Sequence, residues 1–120
     1  MKSLFYGYSV KEEIPTGSWR ANIRDVYRTN DGNACFTFHF IDVGTHYEID
    51  IVKQPSYGSR ATDMHSTHRL PSDRSDASGY RICLGDDSQA NSLDNARRWA
   101  AAWAEGTWTY IHTGSFPNRK

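Results

Sequence analysis

No apolar run in this chain approaches the roughly 20 residues needed to span a bilayer, so no membrane partner is expected. The start, Met1-Lys2-Ser3-Leu4-Phe5, lacks the long apolar stretch of a secretory signal. Cysteine is scarce, with Cys35 and Cys83 the two present. Such a pair could form a disulfide after export, but nothing signals export. Both read as thiols in a reducing compartment, and the expected location is cytoplasmic. An excess of one charge is missing too: Lys plus Arg number 14, and so do Asp plus Glu. That balance argues against non-specific nucleic-acid binding as the main task. There is no glycine-rich phosphate loop, no Ser-centred nucleophile elbow and no basic-aromatic stripe. No cofactor is expected, and neither an internal repeat nor a low-complexity segment is present.

Aromatic residues are plentiful instead. They make up 13% of the 120 residues, including four Trp and seven Tyr, too much apolar ring surface for a disordered chain. The length suits a single domain over residues 1–120 and can bury a core without disulfide or metal staples.

Hydrophobic patterning predicts an α+β chain. Leu4 to Val10 is a short apolar and aromatic run, a strand or an arm packed on a sheet. Trp19 to Thr29 alternates, with Trp19, Ala21 and Ile23 on one side, and slips near Asp25-Val26-Tyr27, which suggests a bulge. Asn30-Asp31-Gly32-Asn33 is the strongest turn signal, because Asp-Gly tolerates the positive φ values of a tight hairpin. Ala34 to Ile41 then places Phe36, Phe38 and Phe40 on one face and Cys35, Thr37, His39 and Ile41 on the other. After a turn at Asp42-Val43-Gly44-Thr45, His46 to Lys53 directs Tyr47, Ile49 and Ile51 to one face. Three consecutive antiparallel strands are expected, within a meander of three to four.

Gln54 to Tyr80 is rich in Ser, Arg, Asp, Gly and Pro and reads as a long loop of the kind that is functional or mobile. The apolar island Tyr80-Arg81-Ile82-Cys83-Leu84-Gly85 ends it. Ser92 is a candidate cap for a helix carrying Leu93, Ala96, Trp99, Ala100 and Trp103 at helical spacing. Residues 107–112 are ambiguous, since alternation favours a strand while Trp103, Trp108 and Ile111 also suit a helical face, and Gly106 is a stop or a tolerated interior glycine. The C-terminal helices are expected to pack on the sheet.

Cys83 is the leading candidate for chemistry. It lies between a long polar loop and Asp86-Asp87-Ser88, at a loop-to-helix transition that can leave a thiol accessible. Asp86 and Asp87 work against a strongly activated thiolate. The plainer alternative is a small buried residue on a short strand. Cys35, in mid-strand, reads as a packed core or sheet-face residue. His65 and His68, spaced His-x-x-His, read first as histidines that shape the loop or sit in solvent; they could also offer a base for Cys83 or, with Cys83 and an aspartate, zinc ligands. The second close pair that zinc sites carry is missing, so no metal is assigned. Trp99, Trp103, Trp108 and Tyr110 read as core.

The ordered set of motifs resembles a family. His68-Arg69-Leu70-Pro71, Gly79-Tyr80-Arg81-Ile82-Cys83-Leu84, Trp99-Ala100-Ala101-Ala102-Trp103 and Tyr110-Ile111-His112-Thr113-Gly114-Ser115-Phe116 follow three meander strands. This layout resembles the divergent bacterial branch of the ubiquitin-conjugating (UBC) fold. It covers roughly residues 19–117 by element order, with the motifs confined to 65–116. The resemblance implies a UBC-like fold and makes Cys83 the thioester-forming cysteine. His68 would hold the place of the family's upstream histidine motif.

Three departures stand out. The His68-to-Cys83 gap is lengthened around Ser72 to Ser78, no Asn completes a His-Pro-Asn arrangement, and the family's N-terminal helix is not evident. On the enzyme reading, the partners are a ubiquitin-like protein and its activating enzyme. Asp86 or Asp87 would position an incoming lysine, and His65, His68 or Ser66 would serve the oxyanion. The alternative is a non-catalytic UBC-like or other α+β binding module, an adaptor or phage or mobile-element inhibitor, acting through protein–protein contacts.

Overall fold

The computed structural model describes residues 17–20, 24–85 and 90–117. The chain is α+β, a six-stranded antiparallel sheet with a C-terminal helix. The strands are β1 (Ser18–Arg20), β2 (Asp25–Arg28), β3 (Cys35–Asp42), β4 (Tyr47–Lys53), β5 (Arg69–Pro71) and β6 (Tyr80–Ile82). Their spatial order is β1-β2-β3-β4-β6-β5. A four-residue helix, α1 (Met64–Thr67), precedes β5, and α2 (Leu93–Thr113) ends the fold. No helix among the described residues is long and apolar enough to cross a membrane. The run Leu4 to Val10 lies outside the described residues.

The β2–β3 and β3–β4 hairpins form where turn chemistry and alternation agree. Gly32 takes φ +76° and Gly44 φ +108°, conformations open to glycine at no steric cost. Asp31 holds the first turn together. Its carboxylate accepts from Thr29 Oγ1 at 2.8 Å, Asn33 N at 2.9 Å and Trp108 Nε1 at 2.7 Å. Those donors, the Asn33 backbone foremost, lower its pKa to about 2. Phe36, Phe38, Ile49 and Ile51 are fully buried beneath α2, as the period-2 pattern predicts.

Several expectations are corrected, and the open alternative at residues 107–112 is decided. Trp19 to Thr29 is not one bulged strand, because β1 folds back on β2 with Trp19 opposite Tyr27 and Arg20 opposite Val26. The register shift falls instead at Thr37/Phe38 against β4. The long loop is not irregular throughout, since α1 and β5 lie within it. Residues 107–112 are helical and continue α2 through Gly106. Among the described residues one C-terminal helix therefore stands where several were expected, and the sheet has two strands beyond the meander.

Helix α2 begins at Ser92, whose hydroxyl accepts from Asn95 N at 3.1 Å, and ends at Gly114 in the left-handed region. Trp103 sits edge-on to Phe36 and Phe38, with ring centroids 5.8 and 6.0 Å apart. Such pairs add about 0.5–1.5 kcal/mol beyond area burial. Ala100, Ala101 and Ala102 are all buried, so cover extends around the helix beyond its sheet-facing stripe. Leu93 is exposed. The small side chain at 106 is enforced by packing: a Cβ there would stand 2.5 Å from Phe116 Cε1.

Candidate functional site around Cys83

Cys83 follows the last residue of β6. That strand pairs with β5 in the register Arg69 to Ile82, Leu70 to Arg81 and Pro71 to Tyr80. Beyond the last paired residues, Cys83 N donates to the His68 carbonyl at 3.0 Å. Ile82 and Leu84 on either side are buried, and Cys83 itself is half-buried. Its neighbours thus occupy the core while the thiol stays at the rim. The wholly buried alternative for Cys83 does not hold. Both cysteines are free thiols.

His68 turns the chain. It caps α1 at φ 55°, ψ 45°, and its N–H reaches back to the Met64 carbonyl. It is the described non-glycine residue with positive φ. The ring lies 4.4 Å from Phe116, centroid to centroid. Burial, then the charge of His65, lowers its pKa below the ordinary histidine value. A histidine held so is neutral near pH 7 and gives a neighbouring thiol no cationic support. His65 is exposed on α1. Ser66, half-buried, binds through its N–H to the capping carboxylate of Asp63 at 3.0 Å. The link from this corner to Cys83 runs through the backbone. Asp86 and Asp87 lie outside the described residues.

What anchors the corner is a set of residues that sequence reasoning passed over. Arg69 is buried, and its guanidinium lies 3.8 Å from the Tyr80 ring centroid and 4.9 Å from that of Tyr57. It donates to Thr67 Oγ1 and the Thr62 carbonyl, each at 2.9 Å. A buried cation is thus matched by oxygens and π faces. Trp103 Nε1 donates to the Thr67 carbonyl at 3.0 Å and Tyr110 Oη to the Ala61 carbonyl at 2.7 Å. Arg60 reaches the carbonyls of Ile111 and His112 at 3.1 and 3.0 Å, a cation at a helix C-terminus. Helix α2 therefore fastens the loop that presents His68. The sequence signal was an Arg beside His68 with two tyrosines in reach, legible only once the β5–β6 pairing is known.

Cys35 is exposed on the sheet face away from α2, so the sheet-face alternative holds and the core one does not. It borders a hollow of about 210 Å³ with Ser18, Trp19, Val26 and Arg28. A second, more open hollow of about 340 Å³ is lined by Glu48, Pro71, Ser72, Asp73, Arg74 and Arg81. Residues 72–78, read as an insertion, fold over the outer sheet face here. Arg74 bridges Glu48 at 2.6 Å and Asp50 at 2.9 Å, while Ser78 Oγ donates to the Ile51 carbonyl at 2.7 Å.

The pairing of a rim thiol with a helix-anchored histidine corner comes from this chain's own geometry, since no family model, no curated protein and no solved structure matches it.

Proposed function

We propose that the chain is a ubiquitin-conjugating-like carrier, with a UBC-like fold, that takes a ubiquitin-like protein onto Cys83 and passes it to an acceptor. The Cys83 thiolate attacks the carbonyl carbon of the incoming thioester. A new C–S bond forms as the old one breaks, and the donor's thiolate leaves. An acceptor amine then attacks the Cys83 thioester, loses a proton and returns the thiol. Two modest acyl transfers replace one hard one.

The observation that carries this reading is that Cys83 is half-buried, not enclosed in the core, beside the His68 corner. An incoming thioester is already reactive, so the site needs access more than activation. The order of meander, histidine corner, cysteine and Trp-bearing helix supports the same reading. Asp86 or Asp87 is proposed to receive the acceptor's proton. Neutral His68, exposed His65 and Ser66 are the proposed donors to the oxyanion.

The test is to mix the chain with an activating enzyme, ATP and a ubiquitin-like protein. A reductant-sensitive adduct that disappears in Cys83→Ala is the expected result. A thiol that labels rapidly in the folded state, yet forms no adduct across plausible cognate pairs, overturns the carrier reading. The binding-module alternative would then stand, and the polar hollow at Glu48, Arg74 and Arg81 favours it.

A further inference from the structure

We propose that His39, Asp50 and Asp76 form a divalent-cation site on the sheet face away from α2. The inference is independent of the carrier reading.

His39 and Asp50 are register partners on β3 and β4. Strand alternation sends both side chains away from the face that Phe38, Phe40, Ile49 and Ile51 present to the helix. Asp76 reaches them from the segment folded over that face. One ligand atom from each of the three lies within 4.8 Å of the other two.

Asp50 supplies the decisive detail. It is fully buried, with 0% of its surface exposed. Ser72 Oγ and Arg74 Nη1 both donate to Oδ1, each at 2.9 Å. Its Oδ2 has no partner. A buried carboxylate oxygen without a donor is costly, and a cation is the natural occupant beside it.

The second sign is at His39. Its buried Nδ1 lies 2.7 Å from Asp76 Oδ2, an ion pair when the ring is protonated, and has no hydrogen-bond partner. A divalent cation would supply the positive charge between these two atoms that the neutral ring lacks.

The donor set selects the ion. One imidazole nitrogen with two carboxylate oxygens suits a first-row divalent cation such as Zn²⁺ or Mn²⁺. Ligands at about 2.1 Å from a tetrahedral ion stand about 3.4 Å apart, so the three atoms, now within 4.8 Å of one another, close up on the ion when it binds. Ser72 and Arg74 on Asp50 Oδ1 are the outer partners that ligating carboxylates carry. Arg24 is the competitor: its guanidinium lies 3.6 Å from Asp76 Oδ2, and its side chain is 46% exposed. The bound ion would join three positions far apart in the chain and clamp residues 72–78 to the sheet.

The test uses the full chain with Cys35→Ser and Cys83→Ser, so that thiols do not contribute. After chelator treatment, Zn²⁺ is titrated calorimetrically and melting is followed against its concentration. One ion per chain, a melting temperature that climbs with Zn²⁺ and slower proteolysis within 72–78 are expected. His39→Gln and Asp76→Asn should each weaken binding by more than about tenfold, and Arg24→Ala should tighten it. As a check free of substitutions at the site, Mn²⁺ should broaden amide resonances around residues 39, 50 and 76 first. Absence of stoichiometric binding, or broadening centred on His65 and His68, overturns the proposal. So does affinity unchanged in folded His39→Gln and Asp76→Asn proteins.

Discussion

Trp103 donates its indole N–H to the carbonyl of Thr67, 36 residues earlier, at 3.0 Å. Both residues are fully buried, and the bond joins the centre of α2 to the end of α1. His68 follows directly and accepts from Cys83. The helix therefore reaches the Cys83 backbone through two hydrogen bonds and one left-handed residue. Trp103→Phe keeps most of the ring packing and removes the donor. Leaving a buried carbonyl unpaired costs about 1–3 kcal/mol, to be read from urea denaturation. Thiol labelling of Cys83 in the folded state should also quicken, because the corner loosens.

Arg69 tests whether planarity or charge holds the loop. Arg69→Lys keeps the charge but loses the fork that meets Thr67 and Thr62 and the flat group over Tyr80. The variant should lose about 1–3 kcal/mol. Amide exchange should speed between Gln54 and Pro71 and stay slow in β2 and β3. Stability equal to the parent's would mean that charge alone suffices.

Gly106 and Phe116 are coupled by contact. Alanine in a helix interior gains about 1 kcal/mol over glycine. At 106 its Cβ would stand 2.5 Å from the Phe116 ring, and overpacking costs about 1–3 kcal/mol. Gly106→Ala should therefore destabilise the protein. In a Phe116→Ala background the same change should stabilise it, a reversal of sign that thermal melts of the four proteins would reveal.

The His68 ring sets a pH dependence. Burial lowers its folded-state pKa below the ordinary 6.5, so the unfolded chain takes up a proton first as pH falls. Stability is undiminished above about 6.5 and is lost as pH drops through the lowered folded-state value. His68→Gln should flatten that part of the curve in denaturant titrations between about pH 7 and 5. A profile unchanged by the substitution would remove His68 as its source.

Much of the scaffold was legible because local chemistry and global packing agree. Asp31-Gly32 predicted the first hairpin, and the Phe36, Phe38, Phe40 alternation predicted the buried face. Ser92 predicted the start of α2. Trp19 to Thr29 misled because the β-propensity of the segment is the same whether it runs on or folds back. The β1–β2 pairing is a contact between residues, not a property of either. The 107–112 ambiguity was of the same kind: Thr107 and Trp108 suit both states, and helix won because Thr107 and Tyr110 bury on the face that continues from Trp103.

At the candidate site the sequence singled out Cys83 and His68 but not what joins them. A burial pattern read along one chain cannot disclose that Arg69 lies between two tyrosines, or that Asp76 returns to His39. An aspartate at the middle of a seven-residue strand was the available sign that the outer face carries a polar task.

By itself the sequence determined the hairpin turns, the faces of β3 and β4 and the helix cap, since each rests on neighbours within a few residues, and it singled out Cys83 as the candidate thiol. Only the tertiary structure decided that the thiol stays at the rim, that α2 holds the His68 corner and that Asp50 is buried beneath a folded-over segment. Those outcomes depend on groups tens of residues apart meeting at hydrogen-bond distance. Loop closure and packing decide such meetings; local propensity does not.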